Sequence, residues 1–288
     1  MERVYGDYDQ AGLDAQYDQS TLVPDISAYL KRWAEGGARA RARARVEIDV
    51  AYGPSPAETA DVFVPAGADG RPVHVYFHGG AWKLLDKSDG GFVAPLLLDA
   101  GAVFASAGFG LVPSVTLAEQ VRQARALVAF LHRNAAAFGG DPDRIFVSGH
   151  SSGGHLVGCL VAAGWHADHG VPDDVVKGAV AASGLYDLEP VRRSARNQYL
   201  HLDDADVERL SPIRHIPART ASRLSILWGE GDLDEFRRQS REMAATWRAA
   251  GHDVHAEEIP AANHFDVGDA FAEPRSPIAR AILAQLAG

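Results

Sequence analysis

The stretch that most limits how this 288-residue chain can fold is Gly149-His150-Ser151-Ser152-Gly153. It lies between a short apolar run, Arg144 to Val147, and a helix-forming run that reaches about Gly164. The first run reads as a strand and the second as a helix. A chain that passes from strand to helix within a few residues must turn sharply, and glycines at 149 and 153 permit both the turn and close packing beneath it. Such a turn lifts the Ser151 hydroxyl clear of the backbone. The pattern G-x-S-x-G alone arises by chance in roughly one chain in ten of this length. Its position between strand and helix carries the information.

Strands and helices alternate around that turn. Thr59–Val64, Pro72–Phe77, Gly101–Ala107, Lys177–Ala182, Leu224–Trp228 and His252–Ile259 read as further strands. Leu117–Phe138 reads as a helix, with Leu117, Val121, Ala124, Val128 and Leu131 on one face and Thr116 with Glu119 as a capping box. Asp234–Ala250 places Phe236, Met243 and Trp247 on one helical face, and Ser276 with Pro277 starts a final helix. This alternation predicts an α/β fold: a mostly parallel central sheet covered by helices on both faces, in one domain over 1–288.

Two segments depart from the rhythm. Residues 1–45 read as an N-terminal arm. Within it Arg39, Arg41, Arg43 and Arg45 alternate with alanines, and the period of two continues through Val46, Ile48 and Val50. Ala38–Arg45 is therefore predicted as an edge strand with a solvated arginine face. Gly184 to Ser222 holds prolines, arginines and an acidic run at Asp203, Asp204, Asp206 and Glu208. It reads as a small cap insertion over the strand ends.

Composition narrows the function classes. A formal net charge of −10 argues against a general nucleic-acid binder, which needs a basic footprint. Cys159 is the single cysteine, so no intrachain disulfide and no cysteine-rich metal site can form. No segment approaches the roughly 20 apolar residues of a membrane span, and Met1 to Gln10 lacks an apolar core of signal-peptide length. A cytoplasmic protein is the expectation, without nucleic-acid or membrane partners and with a homodimer as the assembly to test. His150 and His155 lie at one end of a predicted helix and His166, Asp168 and His169 at the other. That separation argues against a shared metal, and no metal or organic cofactor is expected.

A serine hydroxyl becomes a strong nucleophile only when an adjacent base takes its proton. In the order Ser, Asp/Glu, His the partners should lie in loops at the carboxyl ends of later strands. Gly229-Glu230-Gly231-Asp232 follows strand Leu224–Trp228, and Ala262-Asn263-His264-Phe265 follows strand His252–Ile259. His264 is the candidate base. Asp232 is the favoured acid to fix its tautomer, with Glu230, Asp234 and the more remote Asp266 as rivals. His78-Gly79-Gly80-Ala81-Trp82 follows strand Pro72–Phe77, where small residues let backbone amides approach an oxyanion. The N–H groups of Gly80, Ala81 and Ser152 are the candidate donors, and His78 is expected to brace the loop. Trp82, Tyr186 and Phe265 are the candidate pocket walls. Cys159 is expected to be a buried apolar residue rather than a reactive thiol.

With these residues placed, the sequence resembles the kynurenine formamidase (arylformamidase) group, within the esterases related to hormone-sensitive lipase. The H-G-G-x-W loop appears as His78 to Trp82. The elbow S-G-H-S-A-G-G-H-L appears as Ser148 to Leu156, with Ser152 in place of the alanine. The acid segment D-x-x-E-F-x-R-Q-S matches Asp232, Glu235, Phe236, Arg238, Gln239 and Ser240, and N-H-F-D matches Asn263 to Asp266. Further similarity covers Tyr52 to Glu58, Val112-Pro113, Thr116 to Gln123 and Ser183 to Leu188, so the likeness spans roughly residues 17 to 270. The strand Ala102 to Gly110 lacks the tyrosine usual in the group. The resemblance implies an α/β-hydrolase fold, a triad of Ser151, Asp232 and His264, and hydrolysis of N-formylkynurenine or, as in many bacterial members, of simple esters. The expected substrate is thus a small ester or amide. A biosynthetic acyltransferase or cyclase on the same triad is the first alternative, and a non-catalytic binding protein on this fold the second.

Overall fold

The computed structural model describes residues 2–287. Its centre is one eight-stranded sheet: β1 (Val46–Ala51), β2 (Thr59–Phe63), β3 (Arg71–Phe77), β4 (Val103–Ala107), β5 (Gly140–His150), β6 (Val176–Ala182), β7 (Arg223–Gly231) and β8 (Val254–Asn263). Their spatial order is β1-β2-β4-β3-β5-β6-β7-β8. β1 and β2 are antiparallel to their neighbours, and every pair from β4 through β3 to β8 is parallel.

Parallel strands buried on both faces should read as continuous apolar runs, and these do. Successive residues then serve two separate cores. Val73, Val75, Phe77, Ile145 and Val147 face one of them, beside Leu117, Val121, Ala124 and Val128 of helix α2 (Leu117–Asn134). Tyr76, Phe104, Phe146, Val180 and Leu227 face the other, beside Phe271, Ile278 and Ile282. Fully burying a large apolar side chain contributes about 1.5–3 kcal/mol, so both faces hold the sheet firmly. The chain passes from β3 to β4 on one side and then to β5 on the other. That reversal makes the carboxyl ends of β3 and β5 the place where a ligand crevice opens.

The N-terminal arm corrects one expectation. Ala38–Arg43 is not strand; it is the end of helix α1 (Ser27–Arg43), and the strand begins only at Val46. Alanine and arginine are both strong helix formers, so local propensity prevails over the apparent period of two. Trp33, Gly37 and Ala40 recur at helical spacing and are buried. Gly37 approaches the Ser88 backbone so closely that a Cβ there would overlap the Ser88 carbonyl oxygen. Arg41 turns back instead of facing solvent. Its Nε donates to Oδ2 of the buried Asp61 at 2.7 Å, and the Asp49 N–H donates to Oδ1 at 3.2 Å.

The remaining differences are local. Helix α2 keeps half of its expected capping box: the Thr116 hydroxyl accepts from the Glu119 N–H at 3.1 Å, while the Glu119 carboxylate turns to Arg122 and Gln123. Helices α3 (Ser152–Val161), α4 (Asp234–Ala249), α5 (His264–Asp269) and α6 (Pro277–Ala287) complete the framework, and Ser276 Oγ caps α6 by accepting from the Ala279 N–H. Residues 184–222 form short helices at Glu189–Arg193, Asn197–Leu200 and Asp204–Leu210. Among the described residues no helix is long and apolar enough to cross a membrane.

Candidate active site

Strand β5 ends at His150 and α3 begins at Ser152, so the whole turn falls on Ser151. It adopts φ 56° and ψ −120°, a conformation that costs a non-glycine residue roughly 1–3 kcal/mol. The neighbouring glycines hold it there. A Cβ on Gly153 would overlap the Phe77 carbonyl oxygen, and one on Gly149 would overlap that of Gly153. The Ser151 N–H donates to the Ala182 carbonyl at 2.9 Å, tying the turn to β6.

His264 opens α5 directly after β8. The Asn263 side chain caps that helix by accepting from the Phe265 and Asp266 N–H groups, and Asp266 returns the contact to the Asn263 N–H at 3.0 Å. The Tyr29 hydroxyl from α1 donates to Asp266 at 2.8 Å. Asp266 is therefore spent on the cap. The capped turn brings His264 Nε2 to 2.9 Å from Ser151 Oγ and Nδ1 to 2.6 Å from Asp232 Oδ1. The other oxygen of Asp232 accepts from Ser183 Oγ at 2.6 Å and from the Gly229 N–H at 2.9 Å. Burial works against ionising Asp232. The charge of His264 and the hydrogen bonds from His264, Ser183 and Gly229 outweigh it and leave the carboxyl below its ordinary range. Neither rival acid reaches the histidine: Glu230 accepts from the Ala261 N–H at 2.8 Å, and Asp234 lies 3.4 Å from Arg237.

The loop after β3 reverses through three consecutive left-handed residues, Gly80 (φ 102°), Ala81 (φ 52°) and Trp82 (φ 63°). At Gly80 a side chain would overlap the Leu84 carbonyl, so glycine is needed there. The Lys83 and Leu84 N–H groups donate to the Gly80 carbonyl, and the Gln120 side chain donates to that of Trp82 at 2.7 Å. His78 stacks on Phe109 with ring centroids 4.4 Å apart, and its Nδ1 lies 2.8 Å from the Gly79 carbonyl oxygen. Gly80 and Ala81 line the same cavity as Ser151, and their N–H groups find no acceptor among the described residues. The Ser152 N–H, in the first turn of α3, has no partner within its helix either.

The cavity at Ser151 holds about 220 Å³. Ile26, just before α1, Leu30 and Trp33 of α1, Leu84, Leu85 and Phe265 form its apolar wall, and Arg196 also lines it. Two larger depressions, about 410 and 560 Å³, lie elsewhere on the surface and contain neither Ser151 nor His264. Of the three residues expected as pocket wall, Phe265 lines this cavity, whereas Trp82 and Tyr186 do not. Trp82 is buried because the left-handed loop turns its indole inward, where Nε1 donates to His155 Nδ1 at 3.2 Å. Tyr186 is buried against Gly158 and Gly184. Around the site, burial holds His150 down at about 3 and His78 and His155 at about 4, so all three remain neutral near pH 7. Burial likewise pushes the Cys159 thiol up to about 12.

The architecture has counterparts among known proteins. The model of the BD-FAE family matches residues 60–246, well over half of the chain. The chain belongs to the BD-FAE family. As a BD-FAE member it is 29% identical to the kynurenine formamidase of Danio rerio over 266 residues, which cover 88% of this chain and 89% of that one. A crystal structure from Silicibacter sp. TM1040 superposes with a TM-score of 0.82 at 25% identity, covering 96% of this chain and 99% of its own. The hyperthermophilic esterase of Pyrobaculum calidifontis shares the fold, with a TM-score of 0.69 at 20% identity and 95% coverage of both chains. The chain is an arylformamidase-like α/β-hydrolase of the esterase/lipase group, and a hydrolase.

In this BD-FAE member two further residues, to which the sequence gives no role, touch the site. Trp33 lines the cavity and meets the ring of His150 edge-on at 6.3 Å. Its signal was present as the spacing Ile26, Leu30, Trp33, Gly37, Ala40. Ser183 orients Asp232; it heads the matched segment Ser183 to Leu188, and only its hydrogen bond gives it a role.

Proposed function

We propose that the chain is a serine hydrolase that cleaves a small carboxylic ester or an aryl formamide resembling N-formylkynurenine, through an acyl-enzyme on Ser151. The observation that carries this reading is the linked pair of contacts, Ser151 to His264 at 2.9 Å and His264 to Asp232 at 2.6 Å, beside backbone N–H groups that lack acceptors. His264 Nε2 takes the hydroxyl proton as Ser151 Oγ bonds to the substrate carbonyl carbon. Asp232 keeps the Nδ1 proton in place and stabilises the imidazolium. The carbonyl oxygen becomes an oxyanion and accepts from the N–H groups of Gly80, Ala81 and Ser152, each worth about 3 kcal/mol of transition-state stabilisation. His264 then protonates the departing alcohol or amine. Water, deprotonated by His264, attacks the acyl-enzyme and releases the acid, which is formate in the case of a formamide.

Two features support a small acyl group and an aromatic leaving group. The cavity of about 220 Å³ is smaller than the drug-sized sites of roughly 300–1,000 Å³. Its wall is aromatic and branched aliphatic, with Trp33, Leu84, Leu85 and Phe265 setting the size limit in place of the buried Trp82. The likeness to a kynurenine formamidase supports the formamide. The test is a panel of esters with one aryl leaving group and rising acyl length, beside N-formylkynurenine. Formyl and acetyl substrates should be fastest, with kcat/KM falling roughly tenfold or more per added methylene once the pocket is full. Turnover that rises to hexanoyl or octanoyl esters while N-formylkynurenine is untouched would remove the formamidase reading and leave the esterase.

A further inference from the structure

Arg196 is the one strongly basic side chain in the lining of the catalytic cavity, and it is only 7% exposed. Its Nε and Nη2 donate to the Tyr17 carbonyl at 3.2 and 2.9 Å, and Nη2 also donates to Gln19 Oε1 at 2.6 Å. Nη1 is buried with no partner. The guanidinium lies among the rings of Tyr17, Trp82 and Phe236, 5.5 to 5.9 Å from their centroids. Phe236 in turn packs edge-on against His264, with centroids 4.9 Å apart. Arg196 forms no ion pair with any described carboxylate. Asp18, which shares the cavity rim, is held by the N–H and hydroxyl of Ser20.

Burying a guanidinium without a counter-charge is costly, because arginine stays protonated and its desolvation is not offset by neutral oxygens alone. The tie to Tyr17 and Gln19 uses Nε and Nη2 and needs no charge. What remains is a cation without an ion-pair partner among the described residues and with a free Nη1, in the same cavity as the nucleophile candidate. We propose that Arg196 is the recognition residue for a carboxylate carried by the substrate in the cavity at Ser151. With Nε and Nη2 tied to Tyr17 and Gln19, the two N–H groups of Nη1 are left to make charge-assisted hydrogen bonds to a carboxylate. The assignment deepens the serine-hydrolase reading and rests on it, since it concerns which esters or formamides that site takes.

The experiment compares binding of 3-phenylpropanoate and 3-phenylpropanamide to the full chain by calorimetry. It is paired with kcat/KM for an aryl acetate bearing a ring carboxylate and for its carboxamide twin. The wild type should favour the carboxylate member of each pair by roughly tenfold to a hundredfold. In Arg196→Gln the ratio should fall to within about twofold, and in Arg196→Lys, which keeps a charge but loses the bonds to Tyr17 and Gln19 that hold it in place, it should be intermediate. A merely structural role for Arg196 would weaken both members together and leave the ratio unchanged, which overturns the proposal. Equal binding of acid and amide by the wild type overturns it as well, whether or not Arg196→Gln folds. Failure of the serine-hydrolase reading would look different: no aryl ester would turn over, while the binding ratio would still report on Arg196.

Discussion

Replacing Ser151 by alanine is expected to lower kcat for an aryl acetate by about five to six orders of magnitude, the scale seen when a serine nucleophile that acts with its base is removed. Alanine keeps the Cβ that the turn already accommodates at φ 56°, so the thermal unfolding midpoint should move little. Ser152→Ala is the matched control. It removes a hydroxyl but keeps the N–H that the proposed mechanism uses, and should lower kcat by no more than about tenfold. Steady-state kinetics on the three proteins, with unfolding curves beside them, checks this. Comparable losses in the two variants would mean that the elbow is fragile rather than that Ser151 reacts.

Asp232→Asn is the second large effect. The carboxylate accepts from three donors, His264 on one oxygen and Ser183 with Gly229 on the other. An amide has one acceptor oxygen and one NH2. If the oxygen stays with Ser183 and Gly229, the NH2 faces His264 and favours the tautomer with its proton on Nε2, where it cannot accept from Ser151. The expected loss in kcat is about four orders of magnitude. Asp234→Asn, whose carboxylate meets only Arg237 at 3.4 Å on the first turn of α4, should stay within about twofold. The reverse ranking would move the acid to Asp234.

The sheet could be read from the sequence because its parallel strands are short apolar runs bounded by glycine, and each ends in a loop on the same edge. That is why Ser151, Asp232 and His264, separated by up to 113 residues, were singled out before any geometry and lie within hydrogen-bond reach of one another. The end of helix α1 reads as strand in the sequence because arginines at 39, 41, 43 and 45 alternate with alanines. The helical signal sat in Trp33, Gly37 and Ala40, whose partners Ser88 and Phe92 are distant in sequence. Trp82 could not be placed because its direction depends on three successive left-handed residues, which only Gly80 announces. Arg196 was hidden among Arg192, Arg193, Arg209 and Arg214. Those four pair with carboxylates on their own segment, and only the folded chain shows that Arg196 does not.

In the proposed mechanism His264 and Asp232 activate Ser151. The most direct test is to treat the protein with an aryl fluorophosphonate, weigh it intact and map the adduct by peptide sequencing. One phosphonyl group per chain is expected, on Ser151, with none on Ser151→Ala and a strongly slowed reaction on Asp232→Asn. An adduct on Ser148 or Ser152, or labelling of Ser151→Ala at the wild-type rate, would contradict this mechanism.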